Sequence, residues 1–120
     1  MRLEMLPCEF SVLKYPGCVP IPEAGIWFAA RTMDEASLVC ETDFVPQGCC
    51  AREDGWSGLR VAGQLEFSLV GILAGIANTL FAAGVSVFCI STYDTDYILV
   101  KAGQLETAVR ALKCAGYEIA

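Results

Sequence analysis

A short polar segment in the C-terminal half of the chain carries the clearest chemical potential. Hydroxyl and carboxylate side chains follow one another between two apolar stretches: Ser91, Thr92, Tyr93, Asp94, Thr95 and Asp96. Hydroxyl groups donate and accept hydrogen bonds, and ionised carboxylates pair with ammonium or guanidinium groups. Polar groups concentrated in one loop between buried strands indicate a binding site for a small ligand. The alternative is that these residues are ordinary turn formers facing water.

The chain offers little material for catalysis. It contains no histidine, so the usual general base near neutral pH is missing, and its seven cysteines lack the imidazole that activates a thiol nucleophile. Two further carboxylate pairs, 34–35 and 53–54, are typical of solvated turns. No CxxC pair supports a zinc site, and no glycine-rich phosphate loop precedes a helix. We therefore expect a protein that is not an enzyme and that needs neither a metal nor a cofactor.

Composition limits the choice of partner. A formal net charge of −6, with eight scattered basic residues, argues against nucleic-acid binding, which needs clustered Lys and Arg. A hydrophobic content of 55% is high for 120 residues and predicts apolar surface that a partner would cover. A homodimer is the simplest way to cover that surface.

The uncharged stretch 67–93 raises the question of a membrane span. Its helical period ends at Gly84, so only about sixteen residues can be helical, fewer than the ~20 that a bilayer requires. The N-terminus lacks the long apolar core of a secretory signal. We therefore expect no membrane association, a cytoplasmic location and reduced cysteines. Cys40, Cys89 and Cys114 lie in apolar runs and are predicted to be small core residues.

The hydrophobic period changes from helical to alternating at Gly84. Before it, apolar residues recur at helical spacing: Leu69, Ile72, Leu73, Ile76 and Leu80. After it, Val85, Val87 and Cys89 alternate with their neighbours, as in a strand. The C-terminal half thus predicts strand 59–67, helix 68–83, strands 85–91 and 96–101, helix 104–115 and strand 117–119. This βαββαβ order is that of an α+β, ferredoxin-like fold with both helices on one face of an antiparallel sheet.

The first helix carries a second apolar row, at Val70, Ala74, Ala77 and Phe81. The helix must therefore be covered on two sides. Gly71 and Gly75, one turn apart, would let another backbone approach, or else allow tight packing on the chain's own sheet.

The N-terminal half has the strands of a second such unit without a good first helix. We predict strands 9–14, 25–31 and 36–41, a loop over 15–22, a hairpin turn through Met33 and Asp34, and a loop or short helical turn over 42–56. The turn-like stretch 54–58 marks the boundary between a degenerate unit, 1–57, and a complete one, 58–120.

This topology places two candidate groups side by side. In a βαββαβ unit the strand that enters the first helix ends near the loop between the middle strands, so backbone N–H groups around residues 68–71 approach residues 92–96. A helix N-terminus favours a carboxylate, and the aspartates favour an ammonium or guanidinium group. Together they fit a zwitterionic amino acid, although Ser68 as a plain N-cap beside plain turn residues is the competing explanation.

These residues carry a family resemblance. The segment FSLVGILAGIANTLFAAGVSVFCISTYDTDYILVK resembles the amino-acid-binding ACT domain, specifically small bacterial proteins with paired ACT units that are similar to the CASTOR arginine sensor and to aspartokinase regulatory regions. The segment IWFAARTMDEASLVCE is similar to the same family. STYDTDYILV is the most specific part.

The resemblance implies two ACT-like units packed together, the first lacking a full helix, with the ligand between them and allosteric regulation as the output. It implies ligand contacts at the start of the first helix and in the hairpin loop: Ser68, Leu69, Gly71, Ile72, Thr92, Tyr93, Asp94, Thr95 and Asp96. The arginine sensor has acidic residues where this chain has Ser68 and Leu69, so the expectation is an amino acid of unspecified type. One alternative is a protein-interaction module, in which the apolar helix face docks a partner, such as a regulated enzyme or a transporter, and the ligand site is vestigial. Another is a small enzyme or thiol redox protein using Cys49 and Cys50.

Overall fold

The computed structural model describes residues 2–63 and 71–120. The chain divides into two compact units, one of Cys8–Trp56 and one of Ser57–Ala120 together with Met1–Pro7. Strand β1 (Arg2–Tyr15) and strand β4 (Ala51–Val61) each contribute to both units. The predicted boundary after residue 57 stays a prediction.

The Cys8–Trp56 unit is built from strands and loops. Strand β3 (Ala36–Glu41) pairs antiparallel with β1 on one side and with β2 (Trp27–Arg31) on the other, so that Leu38 lies opposite both Leu13 and Ala29. β4 begins beside the end of β1, where the Cys50 N–H donates to the Lys14 carbonyl at 2.8 Å. A single 3-10 turn, Thr42–Phe44, is the only helical segment in residues 8–56.

Loops cover the apolar face of this unit. One cluster of buried residues on this face consists of Leu13, Tyr15, Leu38 and Cys40, and the side chains packed against it, Val19, Val45 and Cys49, come from the connecting segments. The Tyr15 hydroxyl donates to the Pro46 carbonyl and so ties one of these loops to β1. In this unit, which was predicted to lack a full first helix, loops therefore cover the apolar face.

The Ser57–Ala120 unit has the predicted order of elements. After β4 come helix α1 (Ile72–Ala82), strand β5 (Val87–Ser91), strand β6 (Asp96–Lys101), helix α2 (Leu105–Cys114) and strand β7 (Glu118–Ile119), with a 3-10 turn, Ala102–Gln104, before α2. β6 pairs antiparallel with β5 and neighbours β4. β7 pairs in parallel with the start of β1. The predicted α+β, ferredoxin-like fold is confirmed.

Both helices cover one face of these strands. Four elements each contribute a pair of residues with an exposed fraction of 0%: Leu59 and Val61 of β4, Ile98 and Val100 of β6, Ile76 and Leu80 of α1, Ala108 and Leu112 of α2. The strand residues are two positions apart and the helix residues four apart, as the two periods require. On the outer face of α2, Glu106 and Arg110, four residues apart, form an ion pair at 3.3 Å.

Both helices end in the same glycine-dependent motif. After α1 the Val85 N–H donates back to the Leu80 carbonyl at 3.0 Å across Gly84, whose φ is +75°. After α2 the Tyr117 N–H donates to the Leu112 carbonyl at 3.0 Å across Gly116, whose φ is +99°. These are Schellman caps, which need a left-handed residue that glycine adopts without strain. The predicted helix ends are confirmed to within one residue.

Three sequence predictions were wrong. The turn predicted over 54–58 lies within strand β4, which pairs with β1 and begins at Ala51. Gly71, predicted to be helical, is left-handed with φ +80°, so helix α1 begins at Ile72. Cys89 and Cys114, predicted as core residues with Cys40, are exposed, and only Cys40 is buried. The predicted end of strand 59–67 and the predicted start of helix 68–83 fall on residues 64–70, which lie outside the described residues.

We expect Leu112→Ala to destabilise the protein strongly, because it leaves a cavity among fully buried side chains. The free energy of unfolding should fall by ~2–5 kcal/mol, measured by urea denaturation. The control, Lys113→Ala at the neighbouring exposed position, should change it by less than ~0.5 kcal/mol. Equal losses in the two variants would contradict this assignment of the core.

Candidate functional site

The hairpin loop between β5 and β6 is fixed by its own hydrogen bonds. The backbone N–H of Thr92 donates to the Thr95 carbonyl at 2.8 Å, and the Thr92 hydroxyl donates to the same carbonyl at 3.0 Å. Tyr93 and Asp94 form the exposed tip, where Tyr93 is 77% exposed. The loop therefore presents a phenol and a carboxylate to solvent on an ordered backbone.

Thr95 anchors this loop to the strand that leads toward α1. Its side chain is buried, with an exposed fraction of 6%, and its hydroxyl donates to the Val61 carbonyl at 2.7 Å. Val61 is the last residue of β4. Because a buried carbonyl without a donor is costly, this bond stabilises the end of β4. It also supplies a direct contact between the polar loop and the end of β4.

Asp96 begins β6 and lies opposite Ser91 in the ladder. The Ser91 hydroxyl donates to Asp96 Oδ1 at 2.6 Å, so the carboxylate of this half-buried residue is held by a neighbour across the strands. A carboxylate accepts several hydrogen bonds, so Asp96 retains capacity for a cationic ligand.

An ion pair supports the same end of β4. Arg60 precedes Val61, and its guanidinium donates to Glu4 Oε1 of β1. This hydrogen bond and the charge of Arg60 hold the pKa of the Glu4 carboxyl below its usual value. Glu4 and the neighbouring Tyr97 in turn raise the pKa of Arg60, which keeps the guanidinium charged.

The helix start differs from the one that the sequence predicts. The Gly75 N–H donates to the Gly71 carbonyl at 2.8 Å, which is the first bond of helix α1. The backbone N–H groups that precede this bond in the helix are those of residues 72–74, and such groups at a helix N-terminus attract anions. The described helix therefore offers N–H donors at 72–74, one turn after the predicted donors at 68–71, which stay a prediction. Ser68 and Leu69 lie outside the described residues.

Gly75 has a local explanation. A Cβ at this position would meet the Tyr117 hydroxyl at 3.0 Å, so glycine allows a residue of the same unit to approach α1.

Of the predicted contact residues, 92–96 are brought together in one loop. The pairing of Gly71 and Ile72 with that loop stays a prediction.

A second hairpin repeats the same geometry in the other unit. The Thr32 N–H donates to the Glu35 carbonyl at 2.9 Å, as Thr92 does to Thr95. The strands on either side of the two turns begin and end 60 positions apart, and Thr and Asp recur at this spacing as 32 with 92 and 34 with 94. The T-x-D motif that recurs 60 positions apart is the sequence signal that relates this loop to the first one. From the sequence, the second loop was predicted only as a hairpin turn.

The second hairpin borders a cleft of about 260 Å³. The cleft lies between the hairpin turn and the end of β1, and charged and thiol side chains contribute to its lining: Lys14, Arg31, Asp34, Glu35 and Cys50. No local sequence pattern marks this cleft, because its residues come from three separate parts of the chain.

The sequence pattern of the ACT domain family matches residues 51–114, more than half of the chain. The chain therefore belongs to the ACT domain family, as the resemblance predicted. No curated protein matches the sequence. In residues 2–63 and 71–120, no helix has the length and apolar character needed to cross a membrane.

Solved structures give the same fold. Protein Atu0741 from Agrobacterium tumefaciens is 29% identical and similar over 99% of this chain and 91% of its own, with a TM-score of 0.87. A possible transport protein from Vibrio cholerae is 21% identical, with 93% and 87% covered and a TM-score of 0.69. The ligand-free regulatory subunit of aspartate kinase from Thermus thermophilus is 11% identical, with 95% and 96% covered and a TM-score of 0.64. The last two likenesses establish the fold alone.

We expect Thr95→Val to lower the stability of the protein, because the variant keeps the shape of the side chain but leaves the Val61 carbonyl without the hydroxyl that donates to it. The free energy of unfolding should fall by ~1–3 kcal/mol in urea denaturation. Thr107→Val, at an exposed position of α2, is the matched control and should have little effect. An unchanged midpoint for Thr95→Val would show that the anchor is unimportant.

Proposed function

We propose that this ACT-domain protein is a regulatory module that binds a free amino acid between the hairpin loop 92–96 and the start of α1. The observation that carries the proposal is the buried bond from Thr95 to Val61, which fixes a polar loop at the end of the strand preceding the helix. The likeness of the fold to an aspartate kinase regulatory subunit supports a regulatory output.

The proposed binding mode uses opposite charges at its two ends. The ligand carboxylate accepts hydrogen bonds from the helix N–H groups of residues 72–74, with Gly71 and Ile72 lining that end. The ammonium group pairs with Asp94 or Asp96, and Thr92, Tyr93 and Thr95 complete the loop side. Ser68 and Leu69 enter the proposal through the family resemblance.

Asp96→Asn should test the cationic end. Removing the charge of a carboxylate that pairs with a bound ammonium should weaken binding by ~2–5 kcal/mol, while asparagine still accepts the Ser91 hydrogen bond. Isothermal titration calorimetry against each of the twenty amino acids measures this loss. Glu118→Gln, an exposed carboxylate of β7, is the control and should bind as the wild type does.

Equal affinity in the wild type and in Asp96→Asn would remove Asp96 from the site. No heat with any of the twenty amino acids, at concentrations up to the millimolar range, would contradict the proposed function itself. Retention of the wild-type melting temperature in Asp96→Asn separates a binding effect from unfolding.

We also propose that the protein acts as a homodimer through α1 and β5. A groove of about 570 Å³ lies between them, lined by residues that include Ala77, Phe81 and Val87, and Phe81 is 83% exposed. β5 pairs with β6, and no other described strand lies on its second side. Residues 71–93 carry no charge, so two copies of this surface meet without like-charge repulsion.

Phe81→Glu should convert the dimer to a monomer, because the two-fold axis would bring two carboxylates into a desolvated interface. Light scattering at micromolar concentration should show the mass halved relative to wild type. Glu106→Ala on the exposed face of α2 should leave the mass unchanged. A monomeric mass for the wild-type protein would contradict the proposed homodimer.

The same groove favours one alternative function. If Phe81 and its neighbours instead receive a different protein, the chain is an interaction module and the hairpin loop a vestigial site. A monomeric wild type that also gives no heat with any amino acid would favour this alternative over ligand-dependent regulation.

A further inference from the structure

Two adjacent thiols precede strand β4, and the proposed function uses neither of them. Cys49 and Cys50 lie in the segment 45–50, which connects the 3-10 turn Thr42–Phe44 to β4 and contains no helix or strand. Their α-carbons are ~3.8 Å apart because the residues are neighbours in the chain, so the two sulfurs are always within reach of each other. This adjacency makes the pair the strongest site for redox chemistry among the seven cysteines.

The two side chains lie in different surroundings. Cys49 is half-buried and packs against the apolar cluster that includes Tyr15 and Cys40. Cys50 is exposed, and its thiol donates to the Lys14 carbonyl at 3.5 Å. The Cys50 N–H donates to the same carbonyl at 2.8 Å, which holds the backbone of Cys50 on β1. Cys49 thus contributes to packing, whereas Cys50 is open to reagents in solution.

A nearby cation favours reaction within this pair. The pKa of the Arg52 guanidinium is raised first by its hydrogen bond to Asp54 and, to a smaller extent, by the neighbouring thiols of Cys49 and Cys40. A guanidinium beside a cysteine stabilises the thiolate, which is the reactive form. Cys40 is fully buried, and this burial raises the pKa of its thiol, so Cys40 is the poorer reaction partner for its neighbours.

A disulfide between adjacent residues is strained. The α-carbons of a disulfide are usually ~4.4–6.8 Å apart, which is more than the separation of two neighbouring residues. Strained disulfides are more easily reduced, and they are the labile and regulatory ones. The pair therefore suits a reversible switch and not a permanent cross-link.

We propose that Cys49 and Cys50 form a redox switch, in which a hydroperoxide oxidises them to a vicinal disulfide that withdraws Cys49 from the apolar cluster. Closing the ring brings the two sulfurs together, and Cys50 is held on β1 by its N–H, so Cys49 is the residue that moves. Its packing is then lost, and the segment 45–50, which covers this face through Cys49 and Val45, loosens. Every residue of the switch belongs to the Cys8–Trp56 unit, so the inference does not depend on amino-acid binding at residues 92–96.

The reaction balances with a hydroperoxide as the oxidant. The Cys50 thiolate attacks one peroxide oxygen, the O–O bond breaks, and Cys50 becomes a sulfenic acid. The Cys49 sulfur then attacks the Cys50 sulfur, the S–S bond forms, the S–O bond breaks, and water leaves. With hydrogen peroxide, the two thiols together lose two electrons and two protons, and the peroxide is reduced to two molecules of water. A dithiol restores both thiols by exchange with the disulfide.

The test treats the full chain with hydrogen peroxide, labels the remaining thiols with N-ethylmaleimide under denaturing conditions, and maps them by mass spectrometry. Cleavage after Glu41 and Glu53 releases the peptide 42–53, whose only cysteines are Cys49 and Cys50. In the reduced protein this peptide should carry two maleimide groups. After peroxide treatment it should carry none and be lighter by two hydrogen atoms, and dithiothreitol should restore the labelling of both thiols.

Two further measurements test the movement of Cys49. On oxidation, backbone hydrogen exchange in the segment 42–53 should become faster and the melting temperature should fall by several degrees, because the packing of Cys49 is lost. Cys50→Ser keeps the other thiols and the methionines and should show neither change under the same treatment. Cys114→Ser, at an exposed position of the other unit, is the matched control and should respond as the wild type does.

The proposal is overturned if the peptide 42–53 keeps two maleimide groups after peroxide treatment, if Cys49 is instead linked to Cys40, or if Cys50→Ser shows the same melting shift as the wild type. A disulfide at 49–50 that leaves hydrogen exchange and melting unchanged would also contradict the switch, because Cys49 would then have kept its packing. Should Cys50→Ser fail to fold, the reversal of both the disulfide and the melting shift by dithiothreitol in the wild-type protein decides the question.

Discussion

The Ser57–Ala120 unit depends on covering one apolar face of its strands with two helices. Leu59 and Val61 of β4 and Val100 of β6 would face water without α1 and α2, and each is fully buried beneath them. Burial of a side chain of this size stabilises a fold by ~1.5–3 kcal/mol, so the uncovered sheet could not persist. The turns at Gly84 and Gly116 follow from this need, because each helix must end abruptly for the next strand to begin.

The same constraint determines where polar groups can lie. Since the helices occupy one face, the β5–β6 turn extends beyond the end of the sheet, where hydroxyls and carboxylates stay hydrated. Thr95 is the exception: it is buried and uses its hydroxyl to satisfy Val61. The Cys8–Trp56 unit covers its face with loops and yet keeps the same turn at residues 32–35. The turn is thus independent of how the sheet is covered.

Local patterns in the sequence were sufficient for much of this architecture. The bounds of β3 and β6 match their predictions, because each strand follows a turn with clear Thr and Asp signals. The first half of β4 was missed because Arg52, Glu53 and Asp54 lack apolar alternation. Its residues instead bond to distant parts of the chain. The buried Ser11 hydroxyl, for example, donates to the Asp54 carboxylate, and this bond holds the pKa of Asp54 below its usual value. Such pairing is invisible in a local pattern.

The site followed the same division. The sequence predicted the position of the hairpin loop. It did not predict that helix α1 begins at Ile72, since no pattern distinguishes a left-handed Gly71 from a helical one. The most direct test of ligand binding by this ACT-domain protein is a ¹H–¹⁵N correlation spectrum recorded during titration with free amino acids. A bound amino acid should shift the backbone amides of residues 71–74 and 92–96 together, with one saturation curve. Shifts confined elsewhere, or none at millimolar ligand, would contradict the account.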